Sequence, residues 1–111
     1  MGDKGAKLTS EAEATAELAV DELTPLGAIR SKKMFGGFGV FAGDTMFGIV
    51  DSQGALYFRA DDETRARYEA AGTEKHSRMP YFGVPDEVVA STEQMLDWGR
   101  EALDAARRAK K

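Results

Sequence analysis

The sequence predicts an α+β domain: an antiparallel sheet of about five strands with helices packed on it, in the order α-β-β-β-β-α-β-α. Three observations predict it. Apolar residues recur at helical spacing at both ends of the chain, from Ala12 to Leu26 and from Met95 to Ala106. Between Ala28 and Ala60 that period disappears, and short runs of Phe, Val, Ile and Met alternate with turn residues. The connections inside this stretch are too short to cross over a sheet, so neighbouring strands must run antiparallel.

The first helix is expected to begin near Ser10, which has capping-box spacing to Glu13 and Leu8 in front as a hydrophobic staple. Its inward face is Ala12, Ala16, Ala19, Leu23 and Leu26, an Ala-rich stripe that implies close packing. Pro25 and Gly27 end it. Ile29 to Phe35 reads as a half-exposed strand, with Arg30, Lys32 and Lys33 on it. Phe38 to Ala42, Met46 to Val50 and Leu56 to Arg59 read as three more strands. Gly43-Asp44 joins two of them, and Asp51-Ser52-Gln53-Gly54 has the Asp-first, Gly-last pattern of a type I turn.

Asp61 and Asp62 open a short helix, Glu63 to Ala71, which Gly72 closes. Lys75 to Phe82 reads as a fifth strand, held to an edge or bent by Pro80. Val84-Pro85-Asp86 reads as a loop. Ser91 caps the last helix, with Gln94 three residues on. Its apolar stripe is Leu96, Gly99, Leu103 and Ala106, widened by Met95 and Trp98. Residues 1–9 are expected to be disordered and 10–109 to form a single domain.

A chain of 111 residues can bury a core without metal or disulfide support. The absence of cysteine excludes disulfides, thiolate chemistry and zinc sites built on cysteine, and suits a reducing compartment. No apolar run approaches the roughly 18 residues that span a bilayer, and the polar N-terminus has no secretory h-region. A cytoplasmic location and no membrane partner are therefore expected. The formal net charge of −4 disfavours direct nucleic-acid binding through the whole surface. The terminal cluster Arg107, Arg108, Lys110 and Lys111 reads as a cationic last turn that complements the helix dipole.

Candidate chemistry is sparse. Gly37-x-Gly39-x-x-Ala42 is a formal relative of the dinucleotide fingerprint, but that motif works as a turn into a helix. Here the glycines alternate with Phe38, Val40 and Phe41, and no helix follows, so a twisted hairpin fits better. His76 is the single histidine, too little for a metal centre in a chain without cysteine. Asp61, Asp62 and Glu63 are explained by helix capping. No cofactor and no metal site are expected, and no catalytic constellation can be assembled.

Surface chemistry is richer. Tyr57 and Phe58 are adjacent on a strand and must face opposite sides. Arg30, Lys32, Arg59 and Arg78 all fall on expected strands and could share a sheet face. Met79-Pro80-Tyr81-Phe82 is a stiff apolar segment of the kind that either closes a core or supplies an interface. Arg30, Lys32, Arg59, Arg78, Met79, Tyr81 and Phe82 are therefore the candidate interaction surface. A second reading is a small-ligand or enzymatic pocket beside the Gly-rich hairpin, lined by Phe35, Phe38, Tyr81 and Trp98. A third is weak nucleic-acid binding through the basic strand residues.

Several blocks agree in order and spacing with one known family. Met34-Phe35-Gly36-Gly37-Phe38-Gly39-Val40-Phe41, then Met46-Phe47-Gly48-Ile49, Leu56-Tyr57-Phe58-Arg59-Ala60-Asp61, Met79-Pro80-Tyr81, Pro85-Asp86 and Leu96-Asp97-Trp98 are the blocks. The stretch from about Thr15 to Ala106 resembles the N-terminal domain of the TfoX/Sxy competence regulators. The resemblance implies an α+β fold and a bacterial protein acting in transcriptional regulation or DNA-uptake competence. It implies protein partners: transcription machinery or a regulator like the cyclic-AMP receptor protein. Full-length members carry a second, helical C-terminal domain, so this chain is read as a stand-alone N-terminal domain. No catalytic motif comes with the resemblance. The leading expectation is a non-enzymatic interaction module acting by protein contact, with a homodimer across a two-fold axis also open.

Overall fold

The computed structural model describes residues 10–34, 36–76 and 78–110. The segment 1–9, expected to be disordered, lies outside them, as do Phe35, Ser77 and Lys111. Helix α1 (Ser10–Leu23) buries Ala12, Ala16, Ala19 and Leu23, the face that the spacing predicts. Methyl side chains along this stripe let the helix axis lie close to the sheet. A 3-10 turn, Thr24–Leu26, carries Pro25 in its first positions and ends the helical run.

Strands β1 (Ile29–Met34), β2 (Gly37–Ala42), β3 (Thr45–Val50) and β4 (Leu56–Arg59) form an antiparallel meander, and β5 (Tyr81–Gly83) adds the fifth strand beside β4. Ala42 pairs with Thr45 across the Gly43-Asp44 turn, where Gly43 has φ +61°. That left-handed conformation is what a two-residue hairpin of this twist requires. The Asp51–Gly54 turn forms as expected. The Gly54 N–H donates to the Asp51 carbonyl at 3.0 Å, and the Asp51 carboxylate accepts from the N–H groups of Gln53 and Ala55, each at 2.9 Å.

Helix α2 (Arg65–Ala71) starts slightly later than expected, because Asp61 caps a preceding turn through the N–H groups of Glu63 and Thr64. Gly72, at φ +80°, ends it. Val84 and Pro85 form the expected loop, and a short helix α3 (Asp86–Val89), not expected from the sequence, begins at Asp86. Helix α4 (Thr92–Lys110) follows Ser91, whose Oγ accepts from the Gln94 N–H at 3.2 Å, the expected cap.

The fifth strand is shorter than expected. Between Lys75 and Phe82 only a single bridge forms, and the chain turns back on itself. The His76 N–H donates to the Tyr81 carbonyl at 2.7 Å, and the Met79 N–H donates to the His76 carbonyl at 3.0 Å. A tight reversal, with Pro80 unable to donate, takes the place of a continuous ladder.

The register divides the sheet into two faces. Phe38, Val40, Val50, Leu56, Phe58 and Phe82 point to one side, and each of the four helices contributes to the same core cluster with them. Phe47 reaches that core through an irregularity between β2 and β3. Phe41 pairs with Met46 while Val40 pairs with Gly48, so Phe47 is the extra residue of a bulge. It is fully buried, with its ring centroid 6.2 Å from that of Phe58.

Candidate functional site

The other face of the sheet carries no helix among the described residues. Alternation and register place Arg30, Lys32 and Met34 of β1 on it, opposite Phe41, Gly39 and Gly37 of β2. Met46 and Ile49 of β3, Tyr57 and Arg59 of β4, and Tyr81 of β5 complete it.

Its centre is built around a missing side chain. A Cβ on Gly39 would lie 2.8 Å from Met46 Sδ, 2.9 Å from Met34 Sδ and 3.0 Å from Phe41 Cε1. Two flexible thioethers and one ring edge therefore fill the hollow that Gly39 leaves. Ile49, on the strand next to Gly39, is only 3% exposed although no helix covers it. The long side chains of the face shield one another.

Around this apolar centre stand cations held by rings. The Arg30 guanidinium lies 4.7 Å from the centroid of the Phe41 ring, and that of Arg59 lies 5.8 Å from the Tyr81 ring. The Tyr81 hydroxyl donates to the Met46 carbonyl at 3.3 Å, which ties β5 to β3 across β4. Burial raises the Tyr81 phenol, and Arg59 opposes the shift. The Tyr57 hydroxyl donates to Asp51 Oδ2 at 3.3 Å, while the His76 ring lies 4.6 Å from the Tyr57 ring. Burial, then the Asp51 charge, raise the Tyr57 phenol.

The ion pairs among the described residues lie elsewhere. Arg67 meets Asp97 and Glu101 at 3.3 and 3.0 Å, Arg108 meets Asp61 at 2.9 Å, and Lys110 meets Asp44 at 3.4 Å. Arg65 reaches Asp62 and Glu69. None of these pairs involves Arg30, Lys32, Arg59 or Arg78. Conversely, Glu11, Glu13, Glu17 and Asp21 are exposed on α1, which packs on the opposite face of the sheet, with Glu17 and Asp21 bordering the edge strand β1.

Of the candidate surface residues, Arg30, Lys32, Arg59 and Tyr81 share the helix-free face. Arg78 and Met79 lie in the reversal before β5, not on a strand, close to the edge where His76 meets Tyr57. Phe82 belongs to the core. It is 9% exposed and its ring stacks on that of Tyr68 at 5.6 Å, because adjacent residues on a strand face opposite ways.

The aromatic pocket does not assemble. Phe38 and Tyr81 lie on opposite faces of the sheet, and Phe35 lies outside the described residues. Trp98 sits edge-on to Tyr68 at 5.0 Å, with the Arg67 guanidinium 4.3 Å from its ring. The hollows that exist are surface grooves with other linings. One of about 420 Å³ runs between Glu17, Val20 and Asp21 of α1 and Ile29 to Ser31 of β1. Among the described residues no group of three His, Cys, Asp or Glu side chains could hold a metal ion. Met34, Phe41, Met46 and Ile49 were not singled out by sequence reasoning. The period-2 alternation with Arg30 and Lys32 points to Met34, but the others need the strand register.

A meander backed on one side by its helices, and carrying on the other cations that no carboxylate of the described residues pairs, among methionines and rings, defines a class of protein: a small α+β domain with a free sheet face. The model of the TfoX N-terminal domain matches residues 21–106, and the chain belongs to that family. The DNA transformation protein TfoX1 of Aliivibrio fischeri is 32% identical over 90 residues, covering 74% of this chain and 43% of the relative. The chain thus spans less than half the length of that curated relative. No described helix is long and apolar enough to cross a membrane.

Proposed function

We propose that the chain is a cytoplasmic regulatory module that works by binding another protein and not by catalysis, in the control of DNA uptake or of the transcription that governs it. The observation that carries this reading is the helix-free sheet face. It joins Met, Tyr, Phe and Arg side chains, the types enriched at protein interfaces, to cations without carboxylate partners. The role in DNA uptake rests on family membership and on the name of the relative in Aliivibrio fischeri. The partner favoured by this reading belongs to the transcription machinery or resembles the cyclic-AMP receptor protein.

Self-association is open at one place. Strand β1 ends the sheet, pairing with β2 alone among the described residues, and at six residues it is long enough to pair with a second copy. Arg30, Lys32 and Lys33 on that strand would then meet like charges, which works against a tight homodimer.

The test is made in the native host. Deleting the coding sequence and restoring it should change transformation frequency or a defined set of transcripts, and cross-linking of the tagged chain should capture a protein. A deletion without effect on either, together with cross-linking that captures no protein, would remove the proposal.

A further inference from the structure

We propose that the helix-free sheet face docks an acidic, amphipathic segment of a partner protein, with an apolar anchor entering over Gly39 and flanking carboxylates meeting Arg30, Lys32 and Arg59. This deepens the reading above and rests on it, since it names the surface and the chemistry of what that surface takes.

Charge complementarity sets the sign of the partner. Arg30, Lys32 and Arg59 stand on one face, and no carboxylate of the described residues pairs with them. The Arg30 guanidinium carbon lies 4.7 Å from the centroid of the Phe41 ring. No carboxylate of the described residues pairs with this guanidinium, which can meet a carboxylate with two N–H donors at a time.

The centre of the face sets the second half of the chemistry. At Gly39 the floor is bare backbone, and the atoms nearest to it are the Met34 and Met46 sulfurs and an edge of Phe41. Methionine is unbranched and changes rotamer at little cost, so these side chains can part around an incoming Leu or Phe and pack against it. The face is thus apolar at the middle and cationic at the rim. An acidic segment with an apolar anchor is its complement.

Nucleic acid fits less well. A base-stacking platform needs open ring faces. Tyr81 is only 3% exposed, and the Tyr57 ring already meets His76. Any strand longer than the face would also approach a chain of net charge −4 with Glu11, Glu13, Glu17 and Asp21 exposed. A second copy fits less well too. Two such faces related by a two-fold axis would bring Arg30, Lys32 and Arg59 against themselves. Contact between the face of one copy and the acidic helix α1 of the next is head-to-tail and builds rings or filaments larger than a dimer.

The experiment is methyl NMR of the whole chain. The probes are a short synthetic peptide of alternating Asp/Glu with Leu and Phe anchors, its counterpart with Lys for every acid, and a short oligothymidylate. The acidic peptide should shift the Met34 and Met46 methyl signals and leave the core Met95 signal in place. Arg30→Glu with Lys32→Glu should weaken that binding by about tenfold or more, since each exposed ion pair is lost and replaced by repulsion. Both residues are exposed, and an unchanged melting temperature would confirm that the double variant folds.

The proposal is overturned if the acidic peptide moves neither signal at millimolar concentration, or if the Lys peptide binds as well. It is also overturned if oligothymidylate binds the face and the peptide does not, or if the protein alone grows in light scattering at low salt. A protein captured from the native host by the wild-type chain, and equally by the folded double variant, would sink this surface while leaving the module reading intact. Failure to capture any protein, together with a deletion that has no effect in the host, would sink both.

Discussion

Replacing Gly99 by alanine sets two effects of opposite sign against each other, and the structure decides between them. Gly99 lies inside α4, where helix propensity alone favours alanine by about 1 kcal/mol. A Cβ there, however, would lie 2.6 Å from Leu23 Cδ2, with Leu26 Cδ1 at 3.4 Å and Phe58 Cζ at 3.7 Å. Leu23 is fully buried and cannot swing into solvent. Forcing an extra methyl into such a core costs about 1–3 kcal/mol. The expected net effect of Gly99→Ala is therefore a loss of about 1 kcal/mol. Leu23→Ala by itself should cost about 2–5 kcal/mol. In that background the new methyl enters emptied space, and Gly99→Ala should stabilise by about 1 kcal/mol, as its propensity dictates. The assay is urea unfolding of the four members of the cycle, followed by far-UV circular dichroism because the single tryptophan is the adjacent Trp98. A stabilising Gly99→Ala in the wild-type background, or the same effect in both, would refute the steric reasoning.

Three further outcomes follow from the same structure. Gly37→Ala should destabilise by about 3 kcal/mol or more or prevent folding, because its Cβ would meet the Val50 carbonyl oxygen, a backbone atom that cannot step aside; thermal unfolding checks this, and a fully stable variant would contradict it. Asp61→Asn should cost stability near neutral pH, and the gap to wild type should close as pH falls below the ordinary carboxylate value of 3.8. The Arg108 guanidinium donating to Asp61 holds that carboxyl below its ordinary value, so its contribution is present above the unfolded value and is lost as pH falls through the folded one; a gap unchanged down to pH 2.5 would contradict this. Burial leads the causes that hold all three tyrosines above the ordinary phenol value of 10.0. Their contribution is present below that value and is lost as pH rises through the folded one, so phenolate absorbance should stay low past pH 10 and appear with unfolding; a rise centred at 10 with unchanged circular dichroism would refute it.

Local patterns proved legible where one physical signal dominates. The buried stripe of α1, the meander, the Asp51–Gly54 turn and the Ser91 cap each follow from spacing or turn chemistry alone. Lys75 to Phe82 misled because its apolar end resembles a strand, and that end does pair with β4 from Tyr81 on, while local hydrogen bonds among His76, Met79 and Tyr81 fold the preceding residues back. Helix α3 had its signals, Pro85 in front and Asp86 and Glu87 in the first turn, but they cover a single turn of helix. The basic face was legible as far as the parity of Arg30 and Lys32. That Arg59 joins them and Phe82 does not is a matter of register across several strands, which no local window contains.

The Gly-rich run links these levels. Gly37 lets the Val50 carbonyl approach within a distance that any side chain would block, and so fixes how the end of β3 meets the start of β2. Gly39, next on the same face, instead leaves a hollow whose nearest neighbours are the side chains of Met34, Met46 and Phe41. One glycine is required by the fold and the other shapes the surface. Filling the first should break the sheet. At Gly39 the nearest atoms are mobile side-chain ends, which can yield to a methyl while the sheet stays intact. A folded Gly39→Ala variant that loses affinity for the acidic peptide would separate the surface role from the structural one. A folded variant that binds unchanged would show that the anchor does not enter there.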